Sequence, residues 1–223
     1  IESGNLSEYV GSWGKNFFGG PKVLEFEKAV TDFFDVKHAV TVNSWTSGFV
    51  AAIGAIDIEP GDEVIVPNLT FIATINSVIM ANLKPVLCEI DENSMCMDLE
   101  SFKSSITSKT KAVIPVHLYG QACDMSKIQS IAKRYKLKII EDCAQAQGAK
   151  YNKKFVGTLG DFGCFSFYPT KQITTGEGGA VLTNDKEIDK KIGEAIGQVQ
   201  AGGQSQKRAG EPDQRNARRA NFS

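Results

Sequence analysis

Three stretches of the chain gather residue types that could do chemistry. The segment 40–48 reads VTVNSWTSG, an apolar run that turns into hydroxyl and amide side chains before a helical stretch. Free N–H groups at a helix start, with the Thr46 and Ser47 hydroxyls, suit a phosphate; the same hydroxyls equally suit an ordinary helix cap. The segment 139–149 reads IIEDCAQAQGA, with Asp142 closing an apolar run. A carboxylate there needs a cation or several donors, because an unpaired buried charge is costly; a helix cap or a structural ion pair answers the same need. The segment 162–179 reads FGCFSFYPTKQITTGEGG. Its Lys171 is either a surface cation or a partly desolvated amine of lowered pKa, suited to Schiff-base formation. Taken singly, none of the three selects a reaction.

These residues need strands to deliver them. Short apolar runs at 38–42, 63–66, 85–90, 111–118, 137–141, 163–168 and 179–183 alternate with helical stretches. Val23, Phe26, Val30, Phe33 and Phe34 fall at helical spacing after Pro21, a favourable first-turn residue. Met125, Ile128, Ile131 and Tyr135 form a second stripe on a helix that Asp124 can cap. Nearly continuous apolar strands between helices predict a mostly parallel sheet covered on both faces, an α/β domain. Ligands of such sheets bind at the carboxyl ends of the strands, where all three stretches fall.

Composition narrows the function classes. The 223 residues are 42% hydrophobic and 23% charged, with a formal net charge of −1, so no global field favours nucleic acid or an anionic membrane. No apolar window is long enough to span a bilayer. The five cysteines fit neither a zinc spacing nor a disulfide framework, and read as reduced thiols of a cytoplasmic protein with no metal site. Helical periodicity fades near Ile192, and 193–223 carries five basic against three acidic residues with little apolar area. Such a segment predicts an atypical, disordered tail.

The four phrases of the chain in order (the Ser/Thr turn, PNLTFIAT, EDCAQAQGA and SFYPTKQITTGEGG) resemble the DegT/DnrJ/StrS family of sugar aminotransferases, pyridoxal phosphate enzymes of fold type I. GPKVLEFEKAV, EPGDEVIVPNLTF, KAVIPVHLYGQACDM and GEGGAVLTND extend the likeness from about Gly19 to about Ile192. The resemblance implies the fold type I large domain, an α/β/α sandwich over 21–192, behind an N-terminal arm at 1–20. The likeness ends after Lys191, so the small C-terminal domain is expected to be absent and the chain truncated.

The resemblance also implies roles. Lys171 matches the lysine that forms a Schiff base with the cofactor aldehyde and then shuttles a proton. Asp142 matches the carboxylate that pairs with the pyridine nitrogen and keeps it cationic. Gln145 matches the side chain near the ring hydroxyl, and Phe71 the aromatic stacked on the ring. Ser166, Thr46 and Ser47 match phosphate contacts. His117, in PVHLYG, reads either as a structural hydrogen-bonder or as a catalytic group. Trp45 departs from the family's usual glycine and is expected to crowd the phosphate turn.

The implied reaction moves an amino group from glutamate, or less often glutamine, to a keto group of a nucleotide-linked sugar. Its products serve surface polysaccharide, glycan or antibiotic-sugar biosynthesis, and the enzyme works as a cytoplasmic homodimer. Amination of a keto-cyclitol, or an inactive fragment or pseudoenzyme of the same family, are the alternatives. A dehydratase relative has histidine in place of the lysine, so Lys171 speaks against it.

Overall fold

The computed structural model describes residues 20–200, with side chains through 195. The arm assigned to 1–20 lies outside the described residues except for Gly20, as do residues 201–223 of the tail. In chain order the main elements are α1 (Pro21–Phe34), β1 (His38–Val42), α2 (Trp45–Gly54), β2 (Glu63–Pro67), α3 (Ile72–Met80), β3 (Lys84–Cys88), α4 (Leu99–Ser104), β4 (Thr110–Val113), α5 (Met125–Tyr135) and β5 (Lys138–Asp142). A small hairpin of β6 (Lys150–Tyr151) and β7 (Lys154–Phe155) follows, then β8 (Phe162–Ser166), β9 (Gly179–Thr183) and α6 (Lys186–Gln200).

Seven strands make one sheet in the order β1-β9-β8-β5-β4-β2-β3. The β3, β2, β4, β5 and β8 neighbours pair in parallel, and β9 runs antiparallel to both β8 and β1. Six strands therefore share one direction, and the ends of β1, β5 and β8 open on one edge of the sheet. Period-two alternation sorts the strand residues between two cores. Val40, Val64, Val66, Ile140 and Val181 join a cluster with Phe49 of α2, Val78 of α3 and Ile192 of α6. Ile65, Val113 and Ile139 point the other way, against Phe102 of α4 and Ile128 of α5. Ala39, Ala180 and Leu182 pack with Val30 of α1. The result is an α/β/α sandwich.

Local chemistry fixes the helix ends as expected. Pro21 opens α1, and the Asp124 carboxylate accepts the Lys127 N–H to cap α5. The boundary at 193 moves: α6 continues to Gln200, because Glu187 and Asp189 in its first turn and Ile188 and Ile192 on its buried face support a helix past the fading periodicity. Among the described helices none is long and apolar enough to cross a membrane. The five cysteines are free and buried.

One close approach has a direct consequence. A Cβ on Gly163, the second residue of β8, would run into the Cα and carbonyl oxygen of Gly157. Backbone cannot yield as a side-chain tip can, so Gly163→Ala is expected to destabilise the protein by about 2–3 kcal/mol. Denaturant melting checks this, and an unchanged midpoint would contradict the packing described.

Candidate active site

Asp142 ends β5 and is 4% exposed. Its Oδ2 accepts the Thr74 hydroxyl at 2.8 Å and its Oδ1 the Ala144 N–H at 3.1 Å. Burial pushes the carboxyl above its ordinary value; the two hydrogen bonds and, more weakly, nearby His117 and Lys171 pull it back down. No cation among the described residues forms a salt bridge with it. A desolvated carboxylate without an ion-pair partner is a fit for a protonated ring nitrogen, the group that would offset its burial.

Lys171 lies five residues beyond the end of β8, half-buried, in a turn closed by its own N–H donating to the Tyr168 carbonyl at 2.9 Å. Gln172 next to it donates from Nε2 to the Gln145 carbonyl at 3.1 Å. That bond ties the lysine turn to the loop after Asp142. Gln145 accepts the Tyr119 N–H on Oε1 at 3.1 Å. Lys171 is close enough for its charge to act on Asp142, and forms no salt bridge among the described residues.

The candidate phosphate corner sits beside them. Ser166 ends β8 in register with Gly179 of β9. A Cβ on Gly179 would fall 2.9 Å from the Trp45 nitrogen and 3.0 Å from the Ser44 carbonyl carbon, so the missing side chain lets the start of α2 close onto the sheet. Ser166 and the α2 N-terminus thereby share one corner, where backbone N–H groups and the helix dipole favour an anion. Trp45 does not crowd this turn: it is buried in stacking contact with Phe49, centroids 4.3 Å apart, and α2 starts regularly behind it. Ser44 is the cap, accepting the Ser47 N–H at 3.2 Å. The Ser47 hydroxyl bonds Asn43 and Ser44, so it is engaged locally, whereas Thr46 stands half-buried at the helix mouth.

Phe71 stands just before α3 and is 70% exposed, so it is not a core residue. Neighbouring Ile72 is also exposed, since Thr74, Ser77 and Val78 form the buried face of α3.

Two residues of this site were not singled out from sequence. Thr74 closes NLTFIAT one turn into α3, and its hydroxyl is the only side-chain donor described on Asp142. Glu141 precedes Asp142 and is fully buried at 0%. An acidic residue inside an apolar run, on the face opposite Asp142, was the available signal. Glu141, His117 and Cys143 cluster as metal ligands can. The carboxylate, however, already accepts His117 and three backbone N–H groups, and both His117 ring nitrogens are bonded, so the cluster satisfies itself.

A mostly parallel seven-stranded sheet with this cluster at its strand ends is the large-domain architecture of fold type I aminotransferases. The crystal structure of an aminotransferase from Psychrobacter cryohalolentis superposes with a TM-score of 0.77 at 41% identity, over 79% of this chain and 45% of that one. A Bacillus subtilis protein solved with bound cofactor PMP matches with a TM-score of 0.73 at 35% identity, over 78% and 39% of the two chains. The chain belongs to the DegT/DnrJ/EryC1/StrS aminotransferase family, whose model matches residues 8–212. It is 48% identical to the GDP-perosamine synthase of Caulobacter vibrioides over 78% of this chain and 47% of that protein. The chain spans about half the length of the curated relatives it matches.

Proposed function

We propose that the protein is part of a pyridoxal phosphate-dependent aminotransferase that moves the amino group of glutamate to a keto group on a nucleotide-linked sugar. The observation that carries this reading is the pairing at adjacent strand ends of a buried carboxylate lacking a cation, Asp142, with a half-buried lysine, Lys171. The named relative makes a GDP-linked sugar, which favours a sugar acceptor over a cyclitol.

The cofactor, when bound, supplies an electrophilic carbon for the amine and a cationic ring that accepts electrons from the substrate carbon. Asp142 holds the ring nitrogen protonated through its charge, in a setting where burial makes that charge strongly felt. Thr74 and the Ala144 N–H aim the carboxylate. Lys171 provides the amine that joins the cofactor and then moves a proton between carbons at its Nζ. Thr46, Ser47 and Ser166 bind the phosphate at the α2 corner, Ser47 chiefly through its N-terminal position because its hydroxyl is engaged. Phe71 covers a ring face and Gln145 donates to the ring oxygen.

Phe71, Ile72, Tyr119, Tyr168 and Ile173 are exposed around these loops. Apolar area so close to a site favours cover by a second copy, in a homodimer. The buried free thiols favour a cytoplasmic setting.

The test mixes the cofactor-loaded protein with glutamate, and separately with a GDP- or UDP-linked ketosugar. Glutamate alone should bleach the visible cofactor band and release one equivalent of 2-oxoglutarate; the ketosugar should restore the band and yield the aminosugar. A band indifferent to glutamate, glutamine and ketosugar would overturn the reading.

A further inference from the structure

Glu141 is a buried charge for which the chemistry above has no use. It and His117 are both 0% exposed. Glu141 Oε2 meets His117 Nε2 at 3.0 Å and accepts the Gly157 N–H at 2.8 Å; Oε1 accepts the N–H groups of Leu159 at 2.7 Å and Gly160 at 2.6 Å. The other ring nitrogen of His117, Nδ1, accepts the Cys123 N–H at 3.1 Å. An acceptor at Nδ1 puts the ring proton on Nε2, facing the carboxylate, so the tautomer is set from both ends.

The bond from Cys123 back to His117 closes the turn 117–123, and the His117 N–H donating to the Asp142 carbonyl at 3.0 Å fixes that turn to the end of β5. Tyr119 sits inside it at φ 53, a left-handed conformation unfavourable for tyrosine, which persists where surrounding bonds over-determine it. In this conformation its N–H reaches Gln145 Oε1 at 3.1 Å. A backbone N–H can only donate, so the atom it meets must be the amide oxygen, and the Gln145 Nε2 is left as the free donor.

We propose that Glu141 and His117 are positioning residues: through the 117–123 turn they hold the Gln145 amide with its Nε2 donor presented to the cofactor's ring oxygen. This rests on the cofactor-facing role given to Gln145 above. A donor on that oxygen stabilises its anionic form and loosens its hold on the proton of the Lys171 nitrogen, lowering the pH at which that proton leaves. Turning the amide away raises it. Asp142 and Lys171 are the charged groups facing this region; the Asp142 carboxylate is held by Thr74 and Ala144, and His117, which also draws its carboxyl down, is retained in Glu141→Gln, so a shift shared by both variants is not carried by Asp142.

The experiment uses Glu141→Gln, and His117→Leu as a second variant that leaves the three backbone donors of Glu141 in place. Each is reconstituted with pyridoxal phosphate and its visible band titrated with pH. The midpoint should rise by roughly half to one pH unit in either variant. Gln145→Ala should raise it alone, and adding Glu141→Gln to Gln145→Ala should give no further shift. A fold merely loosened by the substitution would shift the midpoint in the Gln145→Ala background too, and that additive result overturns the proposal. Amide exchange in the cofactor-free protein gives an independent reading: Tyr119 and Cys123 should exchange about tenfold faster or more in either variant. Unchanged exchange at Tyr119 overturns the proposal whether or not a band forms. A missing band in the unsubstituted protein counts against the cofactor assignment instead, and exchange then decides the positioning role.

Discussion

Asp142→Asn is expected to leave the cofactor-free protein at least as stable at neutral pH while transamination falls by about two to three orders of magnitude. Burial raises the Asp142 carboxyl above its ordinary value in the folded protein. A group whose folded pKa is raised contributes its stability below the unfolded value and loses it as pH rises through the folded one. At neutral pH the buried carboxyl group is therefore a burden on the empty site, and the neutral amide removes it. Asparagine keeps an acceptor for the Ala144 N–H, and the Thr74 hydroxyl can turn to accept from the new amide. What the amide cannot do is hold a ring nitrogen protonated. Thermal melting of the two cofactor-free proteins, beside turnover of the two loaded ones, checks both halves. Near-native turnover in the variant would remove Asp142 from its role, and a drop of many degrees would mean that its charge serves the fold.

The strand ends were the legible part of this protein. The runs at 38–42 and 179–183 coincide with β1 and β9, because both are short, buried and bounded by turns. The run 111–118 reads as one strand, yet β4 ends at Val113. Beyond Val113 the regular ladder gives way to a single bridge from Val116 to Asp142, while Ile114, Val116 and Leu118 stay apolar and buried, so hydrophobicity alone does not show the stop. Antiparallel β9 was equally invisible, since burial on both faces erases the difference between strand directions. In α6 the difference runs the other way. Glycine and glutamine weakened the periodicity at 193–200, but a helix already packed through Ile188 and Ile192 continues for two more turns.

In the site, residue type marks Asp142 and Lys171 as candidates, and their roles come only from the family resemblance. Ser47 was legible as a hydroxyl but not as an engaged one; whether a Ser near a helix start caps or binds depends on its rotamer. Thr74 and Glu141 were missed for a shared reason. Each acts by pairing with a residue distant in sequence, Thr74 with Asp142 and Glu141 with His117 and 157–160, and such pairs exist only after the sheet has formed.

The central claim is that Lys171 is the amine that takes the cofactor. Its turn is closed by its own N–H on Tyr168 and tied through Gln172 to the Gln145 carbonyl in the loop that follows Asp142. An amine held within the field of a buried carboxylate and partly withdrawn from water is set apart from the exposed lysines of the helices. Lys171→Ala should abolish covalent attachment and the visible band. Weak noncovalent binding can survive it through the phosphate corner and Asp142. Borohydride reduction of the protein loaded with pyridoxal phosphate, followed by peptide mapping, is the most direct measurement. The expected result is one fixed cofactor per chain on Lys171 and none in Lys171→Ala; labelling concentrated on another lysine, or unchanged in the variant, would contradict the account.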